Sequence, residues 1–357
     1  MRVIGTAGLL GISVLLGPAM LAQNTGQAAE GTQTAQAVSL AAAQALAAKG
    51  RLDQALAGLE VLAKAAPEQA GVERLRGVIF YQKEQLPEAE TAFAKAIQQD
   101  AADRESTAML GITRYRLGRP AGAIPLLEKA QTMREATASN EAGLNVEPKY
   151  VLGLCYTDAK RYDDARRAFA TQFGFAADSA EAYLVTARLF LRREFADEAA
   201  RFAHKAVELN PSLPLAHQLL GEIALAKADL PEAVTQLETE RKLNPLNGPM
   251  YDRLGDAYVR NGQFAEARVA LNKAILLEPN ATGPYILLGE ALIKLNEPIQ
   301  ALHYLNRAAT MDPGNYVTHN VLGQAYRALG QTADANREYK LAVEIQHRND
   351  PKPAGAR

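Results

Sequence analysis

Between residues 36 and 349, apolar side chains recur at helical intervals, in blocks that repeat in register. Leu254 and Tyr258, then Phe264, Ala267, Leu271 and Ala274, show the pattern in one block: two short amphipathic stretches joined by a polar step. The second stretch of every block carries an alanine at one fixed place. Ala55, Ala89, Ala123, Ala165, Ala199, Ala233, Ala267, Ala301 and Ala335 are spaced by 34 residues, apart from one step of 42 between Ala123 and Ala165. Twelve positions before each stands a small residue: Gly77, Gly111, Gly153, Gly221, Gly255, Gly289 and Gly323, with Ala43 and Ala187 in the other two blocks. A period of 34 with helical content predicts a solenoid of helix-turn-helix units, each burying its apolar face on its neighbours.

The units are 36–69, 70–103 and 104–137, then, after an insertion at 138–145, six more from 146 to 349. Glycine costs roughly 1 kcal/mol against alanine inside a helix. Its recurrence at the eighth position therefore implies a close approach, which we expect to be against the alanine twelve residues on. Gly50, Gly118, Gly262 and Gly330 suit left-handed caps between the two helices. Pro87 and Pro231 fall in a first helical turn, and Pro67, Pro211, Pro245, Pro279 and Pro313 close second helices.

Tyr251, Leu254, Gly255, Tyr258, Gly262, Phe264, Ala267, Leu271, Ala274 and Pro279 follow the tetratricopeptide repeat pattern, and the chain resembles that family over residues 36–349. The resemblance implies an all-α, right-handed superhelical solenoid of nine helix pairs whose concave face, formed by first helices, binds a protein or peptide. The family's groove offsets fall on Arg74, Tyr81, Tyr115, Arg116, Tyr150, Arg188 and Arg192 as candidate anchors, with Ile112 and Leu154 among them. The same offsets in units six to eight are acid-rich, with Glu222, Asp252, Asp256 and Glu290 beside Gln218, Arg260 and Lys294. The paired Lys and Asn of chaperone-binding members are missing, as is the Asn ladder of glycosyltransferase-linked members. Several positions depart from the pattern. Gln172 and Glu240 stand where a small residue is usual, and Thr186 with Ala187 replaces Leu-Gly.

Composition adds limits. The chain has 39 Lys and Arg against 40 Asp and Glu, so there is no basic excess to hold nucleic acid. Met1 to Ala22 joins one Arg to a short apolar run and a small residue, which predicts a secretory signal peptide followed by a flexible leader at 23–35. The expected location is periplasmic or secreted, with a membrane association only if that segment stays uncleaved as an anchor. Residues 350–357 are expected to form a disordered tail. Cys155 is the sole cysteine, which excludes an intramolecular disulfide, and it reads as an inert buried thiol.

Candidate chemistry is sparse. The sequence contains no phosphate-binding glycine loop, nucleophile elbow or His-Glu-x-x-His. His204, His217, His303, His319 and His347 lack ligand spacing, and His217 with His319 shares one repeat position that suits packing. No catalytic residue, cofactor or metal is expected. The reading is a non-enzymatic interaction scaffold of the bacterial cell envelope. Its alternative is a structural oligomer or assembly factor acting through an array end, with an RNA binder or a groove enzyme further behind.

Overall fold

The computed structural model describes residues 39–67, 69–133 and 147–349. The signal segment, leader, insertion and tail expected at 1–22, 23–35, 138–145 and 350–357 lie outside the described residues. Eighteen α-helices and no strand are present among them. They run in consecutive pairs: α1 (Leu40–Ala48) with α2 (Leu52–Ala65), α3 (Val72–Gln82) with α4 (Leu86–Gln99), and α5 (Arg104–Arg116) with α6 (Pro120–Thr132). Then come α7 (Pro148–Asp158) with α8 (Tyr162–Phe173), α9 (Ala180–Arg192) with α10 (Ala196–Leu209), and α11 (Ala216–Ala226) with α12 (Leu230–Leu243). The last three pairs are α13 (Gly248–Arg260) with α14 (Phe264–Leu277), α15 (Thr282–Lys294) with α16 (Pro298–Met311), and α17 (Tyr316–Ala328) with α18 (Thr332–Asn349).

Within a pair, the chain reverses through one residue of left-handed backbone. Gly50, Gly118, Gly262 and Gly330 hold it at φ of 72°, 74°, 76° and 73°. The equivalent residue of the other five units is Glu84, Lys160, Glu194, Ala228 or Asn296, also at positive φ. The geometry is therefore a property of the repeat, not of glycine. The hydrogen bonds that require it are backbone bonds: Gln85 N–H reaches the Phe80 carbonyl at 2.9 Å and Glu84 N–H the Tyr81 carbonyl at 3.1 Å, closing the helix end.

The glycine at the eighth position is indeed a close approach, but its partner differs from the one expected. A methyl group at Gly255 would meet Leu271 Cδ2 at 2.3 Å and Cγ at 2.5 Å, not Ala267. The same residue sixteen positions on fills the slot over each of these glycines: Phe93 over Gly77, Leu127 over Gly111, Phe169 over Gly153, Leu237 over Gly221, Leu305 over Gly289 and Tyr339 over Gly323. All but the last are among the fully buried side chains of the core. The fixed alanines are fully buried too, and they let the second helix lie close. The fifth unit, which has Ala187 in the slot, carries Ala203 instead of a large side chain; both are wholly buried. Volume added on one helix is removed from the other in this unit, whereas the first unit keeps Ala43 with a fully buried Leu59 sixteen positions on.

First helices also touch the first helices of adjoining units, α3 with α5, α5 with α7, and onward from α9 to α17, whereas second helices make no comparable contact with each other. The first helices thus line the inner side of the curve and the second helices its outside. At the fourth position of several units, a side chain ties an inner helix to the preceding proline turn. The Tyr251 and Tyr285 hydroxyls donate to the Pro245 and Pro279 carbonyls at 3.3 and 3.1 Å. His217 and His319 place Nε2 at 3.2 and 3.4 Å from the Pro211 and Pro313 carbonyls. These two imidazoles are packing elements, as their shared position suggested.

Glu240 is fully buried, and the structure shows what it is for. Asp103, Ser179, Asn247 and Asn315 cap their own helices through side-chain oxygens. Leu215, which precedes α11, has no such oxygen and sits at φ of 68°. The Glu240 carboxylate replaces it from the neighbouring helix, accepting from Leu215 N–H at 3.0 Å, Gln218 N–H at 3.3 Å and the Asn244 amide.

Candidate functional site

The inner surfaces of α3, α5 and α7 carry Tyr81, Ile112, Tyr115, Tyr150 and Leu154 at successive helical turns, which places them on one face. Together with Arg116, Val151, Gln172 and Phe173 they line an open concavity of about 490 Å³. Its walls are mostly apolar. The Tyr150 ring packs against Phe169 and Phe173, with centroids at 5.7 and 6.4 Å, so the aromatic wall is braced from behind by the core of its own unit.

The polar tips around the concavity are held in place. Tyr81 is buried beneath the Arg116 guanidinium, 4.8 Å above its ring centroid, and Arg116 also pairs with Glu84. The Tyr115 hydroxyl accepts from Arg193 Nη1 at 3.1 Å, and Arg193 Nη2 reaches Asp158 at 2.5 Å. One side chain of the fifth unit thus grips the third and fourth. Burial pushes the Tyr115 phenol up, with Arg193 opposing, so the ring presents a neutral hydroxyl to this face. Gln172 Oε1 is buried with no donor bonded to it. Glu147, exposed at the rim, adds a carboxylate to the same wall.

Four of the seven candidate anchors, Tyr81, Tyr115, Arg116 and Tyr150, are brought together here. Arg74 lies outside, bridging to Asp103 at 3.6 Å and Glu105 at 3.3 Å, which fastens the second unit to the third. Arg188 and Arg192 sit one helix further along on α9. Arg192 is exposed, and Arg188 Nη2 is buried without an acceptor. The sequence reading missed Phe173, Gln172 and Arg193. The first two come from the end of an outer helix, where no family offset points, and the third lies just past the end of α9.

Further along the inner face, Glu222, Asp256, Arg253 and Arg260 line a smaller depression of about 270 Å³. Arg260 pairs with Asp256 at 3.7 Å and donates to the Leu225 carbonyl at 3.1 Å. On the outside, between α12 and α14, a hollow of about 600 Å³ is lined by Tyr251, Leu254, Tyr258, Val269 and Leu276. Val269 and Leu276 are 70% and 72% exposed there. Among the described residues, no cluster of ligating side chains would hold a metal ion, and no helix is long and apolar enough to cross a membrane.

Models of the tetratricopeptide repeat match residues 250–281 and residues 40–104, 108–173 and 286–352, well over half of the chain. No curated protein matches it by sequence. Similar solved structures include YrrB, described as a TPR protein with an unusual peptide-binding site, at 23% identity and a TM-score of 0.45, covering 52% of this chain and 95% of that one. MamA from Desulfovibrio magneticus RS-1 matches at 22% identity and 0.46, covering 49% and 98%. The APC/C hetero-tetramer Cut9-Hcn1 matches at 17% and 0.42, covering 80% and 55%.

Proposed function

Because the chain belongs to the tetratricopeptide repeat family, we propose that it is an interaction scaffold that holds a peptide segment of a protein partner on its inner face. One observation carries this reading. The inner face of the second to fourth units offers an apolar concavity of about 490 Å³ whose aromatic walls are braced by the core and by fixed ion pairs. A preorganised apolar pocket suits an aliphatic or aromatic side chain of such a segment. The role requires no catalytic group. The Met1 to Ala22 segment supports a setting outside the cytoplasm, in a bacterial cell envelope.

Site-directed crosslinking in cells, followed by binding measurements on the captured partner, tests the site. Tyr150→Ala and Leu154→Glu are expected to weaken the partner about 30-fold or more at a temperature where circular dichroism shows both variants still folded. Unchanged affinity in both, with binding lost in Val269→Ser and Leu276→Ser, would move the site to the outer hollow. Cell fractionation with N-terminal sequencing tests the location. The mature chain is expected to begin near Gln23, and a soluble cytoplasmic product that retains Met1 would overturn export.

A further inference from the structure

Charged side chains on the inner face are either paired within the array or, like Arg192 and Glu290, without a partner but at least partly open to solvent. Arg116 meets Glu84, Arg193 meets Asp158, Arg260 meets Asp256, and the Gln218 amide donates to Glu222 at 2.7 Å. Two charged atoms break this rule, and they have opposite sign. Arg188 Nη2, on α9, is buried with no hydrogen-bond partner. Asp252 Oδ1, on α13, is likewise buried and unbonded, while its other oxygen has only the distant Arg253 at 3.7 Å. Burying a charged atom without a partner is unfavourable, and both side chains stay partly exposed, so a ligand can reach and complete them.

They cannot complete each other. The α9 and α13 helices are two rows apart on the inner face, about 16–20 Å at ordinary helix spacing. Burial raises the Asp252 carboxyl; Arg253 opposes this, and Asp256 and Glu278 add to it, so an added cation is what the position lacks. An extended chain advances about 3.3 Å per residue, so it covers that gap in five or six residues. From Arg188 back to Leu154 and Tyr150, on α7, is one row, or about three residues of extended chain.

We propose that the groove runs from the apolar concavity across α9 to α13 and selects an extended segment with an apolar anchor, an acidic side chain at Arg188 and a basic side chain at Asp252, the two charges about five or six residues apart. This rests on the inner face being the peptide site and adds the charge pattern that the site reads. The opposed signs would also fix the direction in which the segment lies, since reversing it sets like charges together.

The full chain, immobilised, is used to select from a phage-displayed library of random peptides about sixteen residues long, enough to span the proposed site. Selected sequences are expected to share the charge pair at that spacing, with an apolar residue about three positions beyond the acid. For a synthetic selected peptide, Arg188→Gln and Asp252→Asn are each expected to raise Kd about tenfold or more. Exchanging the two charges within the peptide should do the same on the unaltered protein, which leaves folding out of the comparison. Peptides that lose affinity with Tyr150→Ala but carry no such pair, or ignore both charge variants, would overturn the charge reading and leave the apolar site standing. Selection that yields no peptide sensitive to Tyr150→Ala would remove the inner-face site itself, and this proposal with it.

Discussion

Gly255→Ala puts the packing between paired helices to a direct test. In an isolated helix the change is stabilising by about 1 kcal/mol. In this protein the new methyl group would lie 2.3 Å from Leu271 Cδ2 and 2.5 Å from Cγ, where about 3.5–4 Å is comfortable. Cγ is the branch point of a fully buried side chain, so a rotation of its far end does not clear the clash. Overpacking of this kind costs up to about 3 kcal/mol, which leaves a net loss near 2 kcal/mol. Leu271→Ala alone should cost about 2–5 kcal/mol by opening a cavity. The double variant copies what the fifth unit does with Ala187 and Ala203, so the methyl occupies vacated space. It should be no less stable than Leu271→Ala, a compensating coupling of about 1–3 kcal/mol. Urea unfolding followed by circular dichroism gives the midpoints, and amide hydrogen exchange across α13 and α14 reads the local change in an array that does not unfold as one block. A stabilised Gly255→Ala, or effects additive to within about 0.5 kcal/mol, would show that the glycine slot is not filled as described.

Ala228→Gly should raise the urea midpoint by about 0.5–1 kcal/mol equivalent, because Ala228 holds a left-handed turn at φ of 60° that glycine adopts freely; a lowered midpoint would show that the turn carries no strain. Glu240→Ala should lose about 2–3 kcal/mol through the uncapped α11, with Glu240→Gln losing less; a gain on restoring the small residue usual at that place would refute the capping role. Cys155 is wholly enclosed, and burial pushes its thiol up to about 12, so iodoacetamide at pH 8.5 should label it only in urea; rapid labelling of the folded protein would contradict its burial. Since the fold favours the neutral thiol, its contribution to stability is whole below the unfolded value near 8.5 and declines as pH rises toward 12, readable as a steeper alkaline fall of the midpoint in the wild type than in Cys155→Ala, where partly buried phenols such as Tyr115 still titrate.

The helix pairs were legible because the period, the small residues and the proline turns all reported one geometry in phase. Gly50, Gly118, Gly262 and Gly330 announced the left-handed turn. Glu84, Lys160, Glu194 and Ala228 could not, since nothing about those side chains favours positive φ and the repeat imposes it on them. The slot partner was hidden for a different reason. Leu271 or Phe169 looks like any core residue of a second helix, and only the helix crossing shows that it covers a glycine sixteen positions back. Glu240 looked like a flaw in the pattern until the Leu215 backbone supplied the missing context. At the candidate site, offsets along the inner helices located Tyr115 and Tyr150, whereas Gln172 and Phe173 enter from the end of α8, where the chain's route through space decides proximity. Arg74 matched an offset and proved to be an inter-unit brace, because Asp103 and Glu105 begin the next inner helix beside it.

The glycine slot and the side chain that fills it always belong to the same unit. A duplicated stretch of gene encoding one repeat therefore arrives with both halves of its lock, and a deleted stretch takes both away. The seam between units carries no such slot, only a shared face and ion pairs such as Arg74 with Glu105 and Arg193 with Asp158. Lengthening or shortening the array thus leaves every glycine slot with its filler, while a change inside a repeat is answered within it, as Ala187 is by Ala203, or absorbed there, as Ala43 is beside Leu59. The unit that packs as a piece is also the unit that inheritance can copy as a piece.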